Sequence, residues 1–225
     1  MNVLGILVIR DKFSEHLLDS LRELSKYCTD VIIQDPYDLV LDPYSPYHEQ
    51  SRRIFDHVRE IYGNIDIFGN LGLDQIGIGK YQPDWVLTYF DDEMPSPRRF
   101  SYMFNSLILN DYVDSWNADV KYFWDVEDLY RVDKLWNTFN YPFLYRYVPE
   151  IDYKWNNDEI VPCNQPGPIE NCGLPIFSYQ YFSDAKRVHS YLNFRKEENK
   201  HNEITKLHYK SLVDDENIRL ERLID

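Results

Sequence analysis

The unbroken apolar run Val3-Leu4-Gly5-Ile6-Leu7-Val8-Ile9 constrains the fold more than any other stretch of the sequence. A strand with one wet face alternates apolar and polar residues. A β-branched run with no polar member suits a strand covered on both faces, as in a parallel sheet lying between helices. The run is too short to cross a bilayer, and no basic leader or small-residue cleavage site accompanies it. A helical period follows, with Leu17, Leu18, Leu21 and Leu24 at i, i+1, i+4 and i+7 and Ser14 placed to cap them.

The same alternation continues through the first half. Val31-Ile32-Ile33 reads as a second buried strand. His48 to Tyr62 reads as a helix with Ile54, Phe55, Val58 and Ile61 on one face. Ile65–Phe68 and Trp85–Phe90 read as strands, and Pro97 suits the first turn of a helix carrying Phe100, Met103, Phe104, Leu107 and Ile108. Between the second strand and its helix lies a triple Pro-Tyr loop (Pro36-Tyr37, Pro43-Tyr44, Pro46-Tyr47), stiff and unable to form a central strand. This order predicts an α/β fold with a mostly parallel sheet and helices on both faces. In such sheets ligands sit beyond the carboxyl ends of the strands.

The second half is aromatic and less regular, with strands expected at Val120–Phe123 and Phe143–Tyr147 and a loop from Val161 to Pro175. From Ser183 the chain turns charged and helical, with apolar stripes at Val188, Tyr191, Leu192 and at Ile204, Leu207, Leu212. The division that follows is a main domain over 1–182 and a helical appendage of that domain over 183–225.

The charge balance narrows the partners. With 38 acids against 24 bases the formal net charge is −14, which repels phosphate backbones and anionic lipid and disfavours duplex DNA. Cys28, Cys163 and Cys172 are odd in number and lack CxxC pairing, which suits a reducing compartment and excludes a disulfide scaffold or cysteine zinc site. The histidines are scattered without HExxH or HxH spacing. The expectation is a soluble cytoplasmic protein with no membrane span and an oligomeric state the sequence leaves open.

Two clusters carry chemistry. Asp91-Asp92-Glu93 follows a predicted buried strand, where adjacent carboxylates can hold Mg²⁺ or Mn²⁺ and bridge to a diphosphate; the alternative is a solvated turn. Trp124 to Trp136 gathers Asp125, Glu127, Asp128, Asp133 and Arg131 between two tryptophans. That composition can supply a general base and a stacking platform for a sugar; the alternative is an amphipathic segment with Arg131 paired to a neighbouring carboxylate. Four of the five tryptophans, Trp116, Trp124, Trp136 and Trp155, have the same two readings, sugar stacking or core. The glycine-rich Gly72–Lys80 stretch is no P-loop, because Ile78 stands where the lysine is required. No Gly-x-Ser-x-Gly elbow is present.

Taken in order, these pieces resemble a bacterial or phage-type family 2 glycosyltransferase of the GT-A fold. Val8-Ile9-Arg10-Asp11-Lys12-Phe13-Ser14-Glu15 is similar to that family's opening loop, and Tyr27 to Asp35 to its second strand. Pro83 to Glu93 resembles the strand ending in the metal-binding DxD motif, and Trp124 to Trp136 the family's tryptophan-rich segment. Phe143-Leu144-Tyr145-Arg146 and Leu207 to Asp214 complete a colinear set spanning nearly the whole chain.

The resemblance implies a GT-A-like (Rossmann-like) mixed, mostly parallel sheet with a helical C-terminal appendage. It implies transfer of a sugar from a nucleotide diphosphate sugar to an acceptor hydroxyl on a glycan, a protein or a modified nucleobase. Arg10, Asp11, Asp35, Asp91 and Asp92 would flank the donor, Asp92 and Glu93 the metal (Mn²⁺ or Mg²⁺). Asp133, ahead of Asp128, would deprotonate the acceptor. Departures stand beside these matches. Phe90 takes the place of the first DxD aspartate, for which Asp91 substitutes if the strand end shifts by one residue. Ser178-Tyr179-Gln180-Tyr181 stands where the family has a metal-site histidine motif. They imply the alternative of a catalytically degenerate GT-A-like protein that binds a nucleotide, glycan or protein partner.

Overall fold

In a computed structural model of the chain the opening apolar run becomes strand β1 (Val3–Val8), buried at every position. The structure describes residues 1–9, 16–35, 42–44, 48–63, 65–69, 78–133, 136, 140–150, 153–156, 159–162, 167–213 and 218–223. The predicted cap Ser14 lies outside them. After β1 come α1 (Leu17–Leu24), β2 (Asp30–Gln34), α2 (His48–Tyr62), β3 (Asp66–Phe68), β4 (Trp85–Phe90), β5 (Glu93–Pro95) and α3 (Pro97–Ile108). The second half contributes β6 (Ser115–Trp124), β7 (Val126–Arg131), β8 (Asn140–Arg146), β9 (Tyr153–Asn156), β10 (Glu159–Pro162) and β11 (Ile169–Ser178). Helices α4 (Asp184–Glu197) and α5 (Glu203–Lys210) and the short strand β12 (Leu220–Arg222) follow.

The strands β12-β7-β6-β8-β4-β1-β2-β3 lie side by side, and β11 joins the sheet through β6 and β5. β1 pairs in parallel with β2 on one side and β4 on the other, and β3 extends the parallel half beyond β2. β8 runs antiparallel between β4 and β6, so β6 again points the same way as β4. The architecture is the expected mixed α/β sheet flanked by helices. Among the described residues no helix is long and apolar enough to cross a membrane.

Burial explains both the successes and the misses of the periodicity. Leu17, Leu21 and Leu24 are buried and α1 packs across β1, β4 and β5, as its spacing predicts. On α2 Phe55 and Val58 are buried while Ile61 is exposed. On α3 Phe100, Phe104, Leu107 and Ile108 are buried and Met103 lies partly outside. The stripe expected on α4 is not a core face: Val188 and Leu192 are exposed, and Arg187 and Phe194 are buried instead. On α5 Ile204 and Leu207 are likewise exposed, and His208 turns inward.

The expected loop from Val161 to Pro175 is a second correction, because the end of β10 and most of β11 lie within it. β11 hides behind its own irregularity: between the pairs Asn171↔Asn117 and Pro175↔Asp119 it carries two residues more than β6. Gly173 turns that bulge at φ +69, a left-handed conformation that glycine adopts without strain.

Gly5 is required for space rather than conformation. A Cβ there would stand 2.8 Å from Cys28 Sγ and 2.9 Å from Leu24 Cγ, where α1 and the start of β2 close on β1. Gly5→Ala is therefore expected to lower stability by about 1–3 kcal/mol through overpacking. Urea unfolding checks this, the midpoint falling with an unchanged slope.

Candidate functional site

The parallel register sets three strand ends level with one another. Val8 lies opposite Gln34 on β2 and opposite Phe90 on β4. One residue further, Ile9 donates its N–H to the Gln34 carbonyl (2.9 Å) and Asp91 donates to the Val8 carbonyl (2.9 Å). Asp35 donates to the Phe68 carbonyl (2.8 Å). Asp35 and Asp91 thus flank the end of β1 from either side, two strand spacings or roughly 10 Å apart. Both are buried. Chain order reverses here, since β1 leads through α1 to β2 on one side while β4 returns on the other. Such a switch point opens a crevice at the carboxyl edge of the sheet, where α/β proteins bind their ligands.

The surrounding elements hold this edge in place. Ser20 Oγ, on the buried face of α1, donates to the Asp91 carbonyl at 3.2 Å. Gln34 Nε2 donates to the Gly69 carbonyl at 2.9 Å and ties down the segment after β3. The Asp92 carbonyl accepts from Tyr179 N–H at 2.8 Å, which joins the turn after β4 to the end of β11. The Tyr179 ring stacks on His16, with centroids 3.7 Å apart and planes 18° apart. No motif spacing marks His16; only the tertiary fold brings it beside Tyr179.

The acidic cluster divides. Asp92 sits in the turn, 7% exposed, whereas Glu93 belongs to β5 and faces inward. Glu93 Oε2 accepts from Phe90 N–H (3.3 Å) and from the Tyr141 hydroxyl. Phe90 packs edge-on against Tyr141, with centroids 6.1 Å apart. Ser178 lies opposite Glu93 in the β5–β11 ladder. Among the described residues no three His, Cys, Asp or Glu side chains group as a metal site. Asp91 and Asp92 are the carboxylates at this turn, and oxygen ligands of that kind suit Mg²⁺, which commonly takes the rest of its shell from substrate phosphates and water.

Asp133 and Asp128 stand on the other flank. Arg131, with its side chain 3% exposed, pairs through Nε with Asp133 and donates from Nη1 to the Ser211 carbonyl at 2.7 Å. Its guanidinium lies 4.6 Å from the Trp124 ring and 4.8 Å from the Trp136 ring. Trp136 Nε1 donates to Ser211 Oγ (3.0 Å), and its ring lies 4.3 Å from that of His208. Asp128 is exposed and pairs with Arg222 at 3.2 Å. Arg10 and Asp11 lie outside the described residues, as does the side chain of Trp155. Trp116, Trp124 and Trp136 are core residues.

The flank is joined to the crevice through Tyr179-Gln180-Tyr181. Tyr179 binds the Asp92 carbonyl, and the Tyr181 ring lies 5.3 Å from Trp136. The structure thus brings Asp35, Asp91 and Asp92 to one edge, turns Glu93 inward, and assigns Asp133 to the Arg131 pair.

No protein-family model and no curated protein matches the sequence. Among solved structures, the crystal structure of S. aureus TarS 1-349 is similar at 10% identity and a TM-score of 0.41, over 95% of this chain and 69% of that one.

Burial, with the Arg131 charge beside it and Asp133 opposing, pulls the His208 imidazole down to about 4, from 6.5. The folded state therefore holds His208 neutral where the unfolded chain binds a proton. Its contribution is complete above about pH 6.5 and is lost as pH falls towards 4, by about 3 kcal/mol at most. His208→Phe is expected to flatten that part of the pH–stability curve measured by urea unfolding. Arg131→Met leaves the Asp133 carboxylate without its partner and is expected to cost about 3–5 kcal/mol by the same measurement.

Proposed function

We propose that the chain is a glycosyltransferase of the family 2, GT-A type, moving a sugar from a nucleotide diphosphate sugar to an acceptor hydroxyl. The observation that carries this reading is the placement of Asp35 and Asp91-Asp92 on either side of β1 at the switch point of the sheet. The colinear motif resemblance supports it independently. In this reading Asp35 accepts from the hydroxyl or imino groups of the nucleoside, and the turn at Asp91-Asp92 faces the diphosphate. A Mg²⁺ or Mn²⁺ beside Asp92 would supply neutralisation of the leaving diphosphate.

The reaction is a displacement. The acceptor oxygen bonds to the anomeric carbon, the bond from that carbon to the diphosphate oxygen breaks, and the nucleoside diphosphate leaves with the electron pair. The acceptor proton passes to a carboxylate, for which Asp133 is the first candidate and Asp128 the second. The Arg131 pair gives Asp133 a structural role as well, so Asp133→Asn must be read for stability and for transfer separately.

A second reading has its own observation. Phe90 fills the first acid's position with an aromatic contact, and Glu93 spends its carboxylate on Tyr141 and Phe90. A domain built this way would bind a donor without turning it over.

Thermal unfolding with a panel of nucleotide sugars, each with and without Mn²⁺, tests both. A donor at one hundred times its dissociation constant is expected to add about 2.7 kcal/mol, and Asp92→Asn to remove most of any Mn²⁺-dependent part. Stabilisation accompanied by donor hydrolysis supports the transferase. Stabilisation with no hydrolysis supports the degenerate domain, and no stabilisation by any donor overturns both.

A further inference from the structure

A separate recess lies away from the crevice, where β6, β7, β11 and β12 meet the first turn of α3. It encloses about 370 Å³, within the range of small-molecule sites, and none of Asp35, Asp91, Asp92 or Asp133 lines it. The bulge of β11 forms one wall, with Gly173 at its left-handed corner. Phe177 and Tyr130 are its aromatic lining, their rings 5.8 Å apart and inclined at 65°.

Charge is distributed unevenly around that lining. Asp119 accepts from Asn171 Nδ2 at 2.9 Å, and Glu221 accepts from the Tyr130 hydroxyl at 3.4 Å and pairs with Arg219 at 3.2 Å. Arg222 is paired with Asp128, and Lys121, which also lines the recess, is not without a partner. Arg99 is different. It lines the recess, is exposed, and its guanidinium has no ion pair or hydrogen bond among the described residues. Burial and the neighbouring Glu221 raise the Tyr130 phenol, and Arg99 pulls it the other way, so the guanidinium and the phenol face the same space.

An aromatic lining offers an apolar face. Two carboxylates offer acceptors for hydroxyl protons, since an oxygen already bonded retains further lone pairs. One uncompensated guanidinium offers a two-pronged seat for a carboxylate. A ligand answering all three is a ring with apolar C–H faces, several hydroxyls and a single negative charge. The lining sets Arg99, Lys121 and Arg222 against Asp119 and Glu221, a surplus of one positive charge that a single carboxylate balances. The geometry points to a second binding site in this recess, for an acidic sugar of the hexuronate class, with Arg99 holding its carboxylate. This assignment does not require the β1 crevice to be an active site.

Saturation-transfer NMR and calorimetry on the full chain, with sodium glucuronate, glucose and inorganic phosphate as probes, test it. Glucuronate is expected to bind, with saturation transfer at its ring protons, and glucose and phosphate at least several-fold more weakly. Arg99→Gln, a change at an exposed side chain, is expected to weaken glucuronate at least tenfold with an unaltered urea midpoint, and Asp92→Asn to leave it unchanged. The proposal is overturned if wild-type protein does not bind glucuronate or if Arg99→Gln binds it equally. It is also overturned if phosphate binds as well as glucuronate, which would mark a plain anion patch. Loss in Asp92→Asn but not in Arg99→Gln would place the sugar in the crevice and overturn it too.

Discussion

Everything in the molecule is arranged around one strand that has no wet face. β1 is buried at all six positions, so both of its faces need cover and both of its edges need partners. Parallel pairing to β2 and β4 supplies the edges, and α1 and the rest of the core supply the cover. The chain can serve both edges only by reversing its direction of travel across the sheet. That reversal opens the carboxyl end of β1 between diverging connections. The crevice is therefore a consequence of the topology before any functional side chain is considered. Gly5 marks how closely the cover approaches, since not even a methyl group fits there.

A second organising element is the Trp124 ring at the end of β6. Arg131 lies 4.6 Å and Arg187 4.2 Å from it. Arg187 also donates to Asp125 and Asp184 and to the carbonyls of Tyr181 and Phe182, so the start of α4 is fastened to the turn after β6. Arg131 fastens Ser211 through its carbonyl. Two buried guanidiniums, each over an aromatic face and each hydrogen-bonded, thus replace the apolar stripe that would ordinarily dock such helices. A planar cation with several donors suits this use, because it satisfies carbonyls at a helix end while stacking on indole.

That substitution accounts for what was legible in the sequence and what was not. The strands of the parallel half declare themselves, since β1 and β4 are buried on both faces and are apolar or aromatic at every position but Thr88. β11 does not, because a bulge with Gly173 and Pro175 inside it carries the letters of a loop while its backbone still pairs. The α4 stripe misleads for the reason just given: the docking is done by Arg187, which a hydrophobic period cannot see. At the site, the acids after β4 were visible as a cluster at a strand end, whereas Asp35 after β2 was marked only by the family resemblance. His16 was not, because its relation to Tyr179 spans the whole chain and follows from β11 lying beside β5.

The departures at the acidic turn are also coherent with one another rather than scattered. An aromatic at position 90 creates an apolar neighbourhood in which Tyr141 packs, and Tyr141 in turn gives its hydroxyl to Glu93. Glu93 closes the loop by accepting from the Phe90 N–H, which otherwise would lie at a strand end in a buried environment. Each of the three residues makes sense only with the other two present. An aspartate placed at position 90 alone would bring a carboxylate beside the inward-turned Glu93, two like charges in a nearly dry space, and one of them would have to take up a proton or move. The acidic turn thus divides its carboxylates, with Asp91 and Asp92 in the turn after β4 and Glu93 turned inward onto Tyr141 and the Phe90 N–H.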